Sequence, residues 1–203
     1  MQISAVLVFH DPRDWALDTT ILLDLLLSHK GYLGTRSALN GNLTLPNNGY
    51  QQDGQPPLIF SNSDLFWAAE WHLSRLGQGG FKEAFEGVWK AATSGAELKK
   101  ELWGKPFANT YAFAEKKLIS QRSIILGARV KAGLKDVYMI GDNPESDIRG
   151  ANTFDSPTGA TWRSILVKTG VYENGEPAHK PNAIVDDVWD AVEWGLKKSG
   201  WDR

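Results

Sequence analysis

Apolar and polar positions along this chain alternate between short buried runs and amphipathic stretches. Ile3–Phe9 is apolar over strand length and stops at Asp11-Pro12, where proline cannot continue a ladder. Asp14 then stands where a helix N-cap belongs, ahead of Trp15, Ile21, Leu22, Leu25 and Leu26 at helical spacing, with Gly31 beyond them. Residues 34–55 are polar and carry Asn47-Asn48-Gly49 and Asp53-Gly54, which is turn chemistry. Pro57–Phe60 predicts a second buried strand, followed by a helix near Leu65–Leu73, a flexible Gly77–Gly80 connection and a helix over Phe81–Thr93. Trp67, Trp71, Trp89 and Trp189 fall at helical positions, where core packing accounts for them.

The second half repeats the rhythm. Leu102-Trp103 is strand-like and runs into Gly104-Lys105-Pro106, then a helix bearing Tyr111, Phe113 and Leu118. Val137–Ile140 is a compact apolar run closing on Gly141-Asp142-Asn143, with a helix predicted over Ser146–Asn152. Ile165–Val167 and Ile184-Val185 complete the strands, and Val188–Lys197 is amphipathic. Apolar strands separated by helices predict an α/β fold with a parallel sheet and helices on both faces. The pattern divides into 1–98 and 99–203.

Composition narrows the functional classes. The 203 residues carry 22 Lys+Arg against 24 Asp+Glu, and a net charge of −2 gives no field for nucleic acid or an anionic membrane. With no Cys, a disulfide framework, a thiolate zinc site and a cysteine nucleophile are all excluded. The four His form no His-x-x-x-His pair for zinc, and no apolar run approaches the length of a membrane span.

Two segments carry chemistry. In Val137–Ile148 a buried strand delivers Asp142 at its carboxyl end, Gly141 leaves space beside the backbone, and Asp147 follows five residues later in the next helical turn. Paired carboxylates there suit Mg²⁺, which prefers hard oxygen donors; equally, Asp147 suits a first-turn acid and Asp142 a turn residue. In Gly104-Lys105-Pro106 the ammonium can meet phosphate oxygens and a buried carboxylate, or simply occupy a solvated loop. A P-loop is excluded, because Lys99 and Pro106 stand where its first glycine and its Ser/Thr belong.

Taken together, Gly104-Lys105-Pro106 and Gly141–Asp147 resemble the third and fourth motifs of the haloacid dehalogenase-like (HAD) superfamily. Phe9–Trp15, Asp53–Pro57 and Ile59–Asn62 resemble one eukaryotic class IIA branch in particular, the cat-eye-syndrome-critical-region protein 5-like group in a fungal-looking form. The resemblance implies a Rossmann-like core interrupted by an α/β cap, with 1–98 most of the cap and 99–203 the C-terminal half of the core. It implies Asp142 as a Mg²⁺ ligand, Asp147 as its support and Lys105 as the group orienting nucleophile and phosphate. Ser61, Asn62, Asp64 and Asn143 are implied as contacts to a small phosphorylated substrate; a helix N-cap at Ser61 or Ser63 is the alternative for that loop.

The same resemblance exposes a departure. The family attacks phosphorus with the first Asp of Asp-x-Asp-Gly, and that motif occurs nowhere in these 203 residues. Asp11 and Asp14 do not replace it: their spacing is three, Pro12 follows the first, and no Gly comes next. The expectation is a magnesium-dependent phosphatase-class chain, N-terminally incomplete and inactive by itself. The alternative is a non-catalytic interaction module. In either case Val137–Ile140 is expected to leave an open sheet edge, through which a homo-oligomer could form. The resemblance also points to mitochondria and to glycerophospholipid metabolism.

Overall fold

The computed structural model describes residues 1–127 and 133–201. The chain forms two compact units, Met1–Leu65 with Leu76–Trp103, and Phe66–Arg75 with Gly104–Arg203.

In the first unit, β1 (Val6–Val8), β2 (Leu58–Phe60) and β5 (Glu101–Leu102) form a parallel sheet in the order β1-β2-β5. Its helices are α1 (Trp15–Leu26) and α2 (Gln78–Ala92), which pack against one another. Asp14 caps α1 as expected, accepting the Leu17 N–H at 3.0 Å. Leu22, Leu26, Tyr50, Leu58, Phe60, Phe81, Phe85 and Trp89 make one continuous core, with edge-on aromatic contacts between Trp15 and Phe81 and between Tyr50 and Trp89. The polar stretch 34–55 is tied down by two side-chain amides. Asn47 accepts from Glu97 N–H and donates to its carbonyl, both at 2.8 Å, and Gln51 does the same to Lys99 at 2.7 and 2.9 Å. Each amide satisfies a backbone pair that a further strand would otherwise take. Because β5 pairs with β2, residues 99–103 belong to this unit rather than to the second half of the chain.

The helix expected near Leu65–Leu73 is absent. Two-residue strands, β3 (Phe66–Trp67) and β4 (Arg75–Leu76), form a short ribbon there. Phe66, Trp67, Trp71 and Leu73 are all exposed, so a helix would have no apolar face to bury. Asn62 also spends its capping oxygen locally, accepting the Asp64 N–H at 2.9 Å in a turn. Gly77–Gly80 is likewise not a flexible connection: Gly77 is the N-cap of α2 and residues 78–80 are its buried first turn. Of the four tryptophans assigned to core positions only Trp89 is buried, at 1% exposure, while Trp189 stands 60% exposed and Trp67 and Trp71 are also open.

In the second unit, β6 (Asp136–Gly141), β7 (Thr161–Val167) and β8 (Ala183–Val185) run parallel in the order β6-β7-β8. Alternation along β7 sends Ile165 and Val167 to one face, with Ala191 of α5 (Val188–Lys198), and Leu166 to the other, with Ile148 and Tyr172. Helices therefore cover both faces of a parallel sheet, as the apolar pattern predicts. Among the described residues β6 pairs with β7 alone and is an edge strand. The helix expected over Ser146–Asn152 is a π-turn, Pro144–Ile148, running into the short α4 (Arg149–Thr153). The long α3 (Ala108–Leu126) presents Tyr111 to an aromatic cluster with Phe154 and Trp162. One turn on, Glu115 is 1% exposed and accepts hydrogen bonds from Ser156 and Thr158 hydroxyls and the Trp162 indole at 2.9, 2.6 and 2.8 Å. Burial alone would raise that carboxyl, but the Thr158, Trp162 and Ser156 donors outweigh it and hold it below its ordinary range.

Candidate active site

The second unit gathers its chemistry beyond the carboxyl end of β6, where parallel α/β sheets place their ligands. Gly141 closes the strand. A Cβ there would collide with the carboxylate of Asp147, so the space that glycine leaves is filled by a side chain of this chain rather than reserved for a ligand. Asp142 follows. Its Oδ2 accepts the Val171 N–H at 2.7 Å and its carbonyl accepts the Tyr172 N–H at 3.0 Å, so the loop after β7 fixes it. Gly170 lies directly against that carboxylate, and any side chain at 170 would displace it.

Asn143 begins the π-turn. Its Oδ1 accepts the Glu145 N–H at 3.0 Å, and its carbonyl accepts the Asp147 N–H at 2.9 Å and the Ile148 N–H at 3.4 Å. The second of these is the i to i+5 bond that widens the turn, and π-turns of one turn's length recur at functional sites. The Asn143 N–H in turn donates to Asp147 Oδ2 at 3.1 Å. Asp147 Oδ1 meets the Lys105 ammonium at 2.7 Å, with the acid 2% and the lysine 35% exposed. Lys105 stands between Gly104, whose φ is +86°, and a cis bond to Pro106, just ahead of α3. A buried carboxylate is thereby paired with a lysine that remains accessible.

Of the residues singled out from the sequence, the structure brings Lys105 and the Asn143 N–H each onto Asp147, and Asp142 precedes Asn143 in the chain. Ser61, Asn62 and Asp64 belong to the first unit, at the carboxyl end of β2. Ser61 and Asn62 are organised by Gln78, which is 1% exposed. Its Oε1 accepts the Asn62 N–H at 2.9 Å, and its Nε2 donates to the His10 carbonyl at 3.2 Å and the Ser61 hydroxyl at 3.4 Å. No helix follows at Leu65–Leu73, so neither Ser61 nor Ser63 is the N-cap of one. Gln78 and Tyr111 escape sequence reasoning, because each acts on residues at least sixteen positions away and belongs to no local pattern.

Mg²⁺ is held through one or two carboxylates, with waters and substrate phosphate completing its shell. Asp142 offers a donor of that kind, since Val171 engages only one of its oxygens, whereas both oxygens of Asp147 are already met by Lys105 and the Asn143 N–H and can stand only behind it. Among the described residues no group of three or more His, Cys, Asp or Glu could cage an ion. The donor set thus fits a cation that shares its shell with phosphate and water, not a structural metal.

Residues 102–191 match the family model described as HAD-hydrolase-like. Over 213 aligned residues, covering 96% of this chain and 55% of the relative, the sequence is 38% identical to a mitochondrial hydrolase of Saccharomyces cerevisiae. It is also 38% identical over 197 residues to a cardiolipin synthase (CMP-forming)/mitochondrial hydrolase fusion protein of Schizosaccharomyces pombe, covering 97% of this chain and 29% of that protein. The chain thus spans about half, or less, of the curated relatives it matches. A crystal structure from Cytophaga hutchinsonii, described as a "possible sugar phosphatase, HAD superfamily", aligns with 98% of this chain and 49% of its own at a TM-score of 0.50 and 18% identity, a likeness of fold.

Proposed function

Residues 102–191 belong to the HAD-like hydrolases, and from that premise we propose that the chain supplies the lysine and carboxylate part of a magnesium-dependent phosphomonoester hydrolase site. The observation that carries this reading is the 2.7 Å pair between buried Asp147 and accessible Lys105, set at the end of β6 beside Asp142. The ammonium is placed to draw phosphate oxygens toward the strand ends and to offset negative charge there. Asp142 would hold Mg²⁺, and Asp147, engaged by Lys105 and the Asn143 N–H, would support it. When bound, the ion supplies charge neutralisation for a phosphoryl group. Asn143, Ser61, Asn62 and Asp64 are the proposed substrate contacts, residues 1–98 most of the cap, and the mitochondrion the proposed location, after the names its relatives bear.

With no Asp-x-Asp-Gly among the 203 residues, the proposal gives this chain by itself no attacking carboxylate and no turnover. Purified chain with Mg²⁺ and p-nitrophenyl phosphate is expected to match the buffer blank. Turnover that disappears in Asp142→Ala would overturn the inactivity. The lysine and metal roles are tested in the longer Saccharomyces relative, at the positions aligned with Lys105 and Asp142. Each alanine substitution there is expected to lower kcat at least a hundredfold, and unchanged kcat would reject them. The edge strand β6 favours one further reading, in which the chain docks onto another protein as a non-catalytic module. Sedimentation that shows only monomer at high concentration would count against self-association through that edge.

A further inference from the structure

The π-turn that carries Asp147 is held by its own backbone bonds and also from outside. In a continuous helix the carbonyls of Ser146 and Asp147 would accept N–H groups four residues on. Here both lie within reach of one external donor. The Tyr111 hydroxyl, from α3, points at the Ser146 carbonyl at 3.0 Å and the Asp147 carbonyl at 3.3 Å. Tyr111 is 2% exposed, and its ring packs with Phe154 and Trp162 at 5.7 and 5.2 Å between centroids. Its hydroxyl end lies where Gly150 has no side chain; a Cβ at 150 would collide with it. The ring is therefore seated by α3, α4 and β7, and its oxygen reaches the turn.

We propose that Tyr111 is a positioning residue, whose hydroxyl pins the Ser146–Asp147 backbone and so aims the Asp147 carboxylate at Lys105 and the Asn143 N–H. The device is economical in physical terms. The Ser146 carbonyl already accepts the Arg149 N–H, and the phenol adds one O–H shared between that carbonyl and the Asp147 carbonyl, which ties both to α3. A carboxylate joined to a fixed backbone through only two torsions then has little freedom, and the Gly141 backbone lies directly against it. The functional weight of this inference rests on the reading that Lys105 and Asp147 face phosphate, but its physical content does not.

Tyr111→Phe tests it, since the ring and its packing remain and only the hydroxyl is lost. The readout is amide hydrogen exchange in the intact chain, which resolves local opening from global unfolding. The Asn143 amide, bonded to Asp147 Oδ2, is expected to exchange about tenfold faster, the factor equivalent to about 1.4 kcal/mol. The Ile165 amide in β7 is expected to stay within twofold of the parent. Gly150→Ala, which crowds the hydroxyl, should give the same local acceleration. Equal acceleration at Asn143 and Ile165 in Tyr111→Phe would make Tyr111 an ordinary core residue and overturn the proposal, as would an unchanged Asn143. Because exchange needs no turnover, failure here is separable from failure of the hydrolase reading, which rests on kinetics.

Discussion

The two units are both parallel α/β sheets with flanking helices, yet they are held together by different means. The first has one continuous apolar core of ten buried residues around Trp89, Phe85 and Phe60, and its buried polar groups are mostly amides and hydroxyls that tie loops to backbone. Among the described residues, the second spreads its apolar side chains over two small clusters and an aromatic group around Tyr111, and it buries the carboxylates of Glu115, met by three donors, and Asp147, met by two. Apolar packing is tolerant of direction, whereas a buried carboxylate is stable only in one geometry. The first unit is thus built to be solid and the second to hold particular groups in particular places.

The comparison predicts an order of effects. The largest is Trp89→Ala, which should cost about 3–5 kcal/mol in the first unit. Denaturant titration followed by exchange should show the loss in Phe60 and Phe85 amides while Ile165 is spared; equal losses in both would erase the distinction. Next comes Glu115→Gln, expected to cost about 2–3 kcal/mol because charged hydrogen bonds from three donors are weakened. Since the folded carboxyl is held below its ordinary 4.5, its contribution is complete above that pH and is lost as pH falls through the depressed folded value. Acid titration of the parent should destabilise the second unit in that window, and Glu115→Gln should remove that component. A parent and variant with the same acid profile would refute the assignment.

Lys105→Ala ranks third, at about 1–2 kcal/mol, because it leaves Asp147 buried with only the Asn143 N–H. Thermal melts of the parent and of Lys105→Ala measure it, and an unchanged midpoint would mean that the lysine contributes function without stability. The smallest effect should be the same in both units. Asp14→Ala and Asp187→Ala each remove a helix N-cap, seen as the Leu17 and Asp190 N–H bonds at 3.0 Å, and each should cost about 1 kcal/mol. A wide inequality between them would show that local helix stability, not core chemistry, separates the units.

Much of this was legible from residues alone where a signal is local. Strand β6 and its glycine, the cap at Asp14, and the order of Lys105, Asp142 and Asp147 all follow from short-range pattern. The ribbon at Phe66–Leu76 was not, because apolar residues at helical spacing look the same whether a core receives them or not. Gln78, Tyr111 and Glu115 stayed hidden for a related reason. Each acts on partners sixteen to sixty-eight positions distant, and a phenol, an amide or an acid on a helix face has no signature until its partners fold toward it.

Gly141, Gly150 and Gly170 each end where another residue's functional atoms begin. Scanning a protein with alanine ordinarily subtracts atoms and asks what is missed; at these three places it adds one and asks what is pushed aside. A series of such additions would trace the outline of Asp147, Tyr111 and Asp142 from behind, a cast of those side chains taken without substituting any of them.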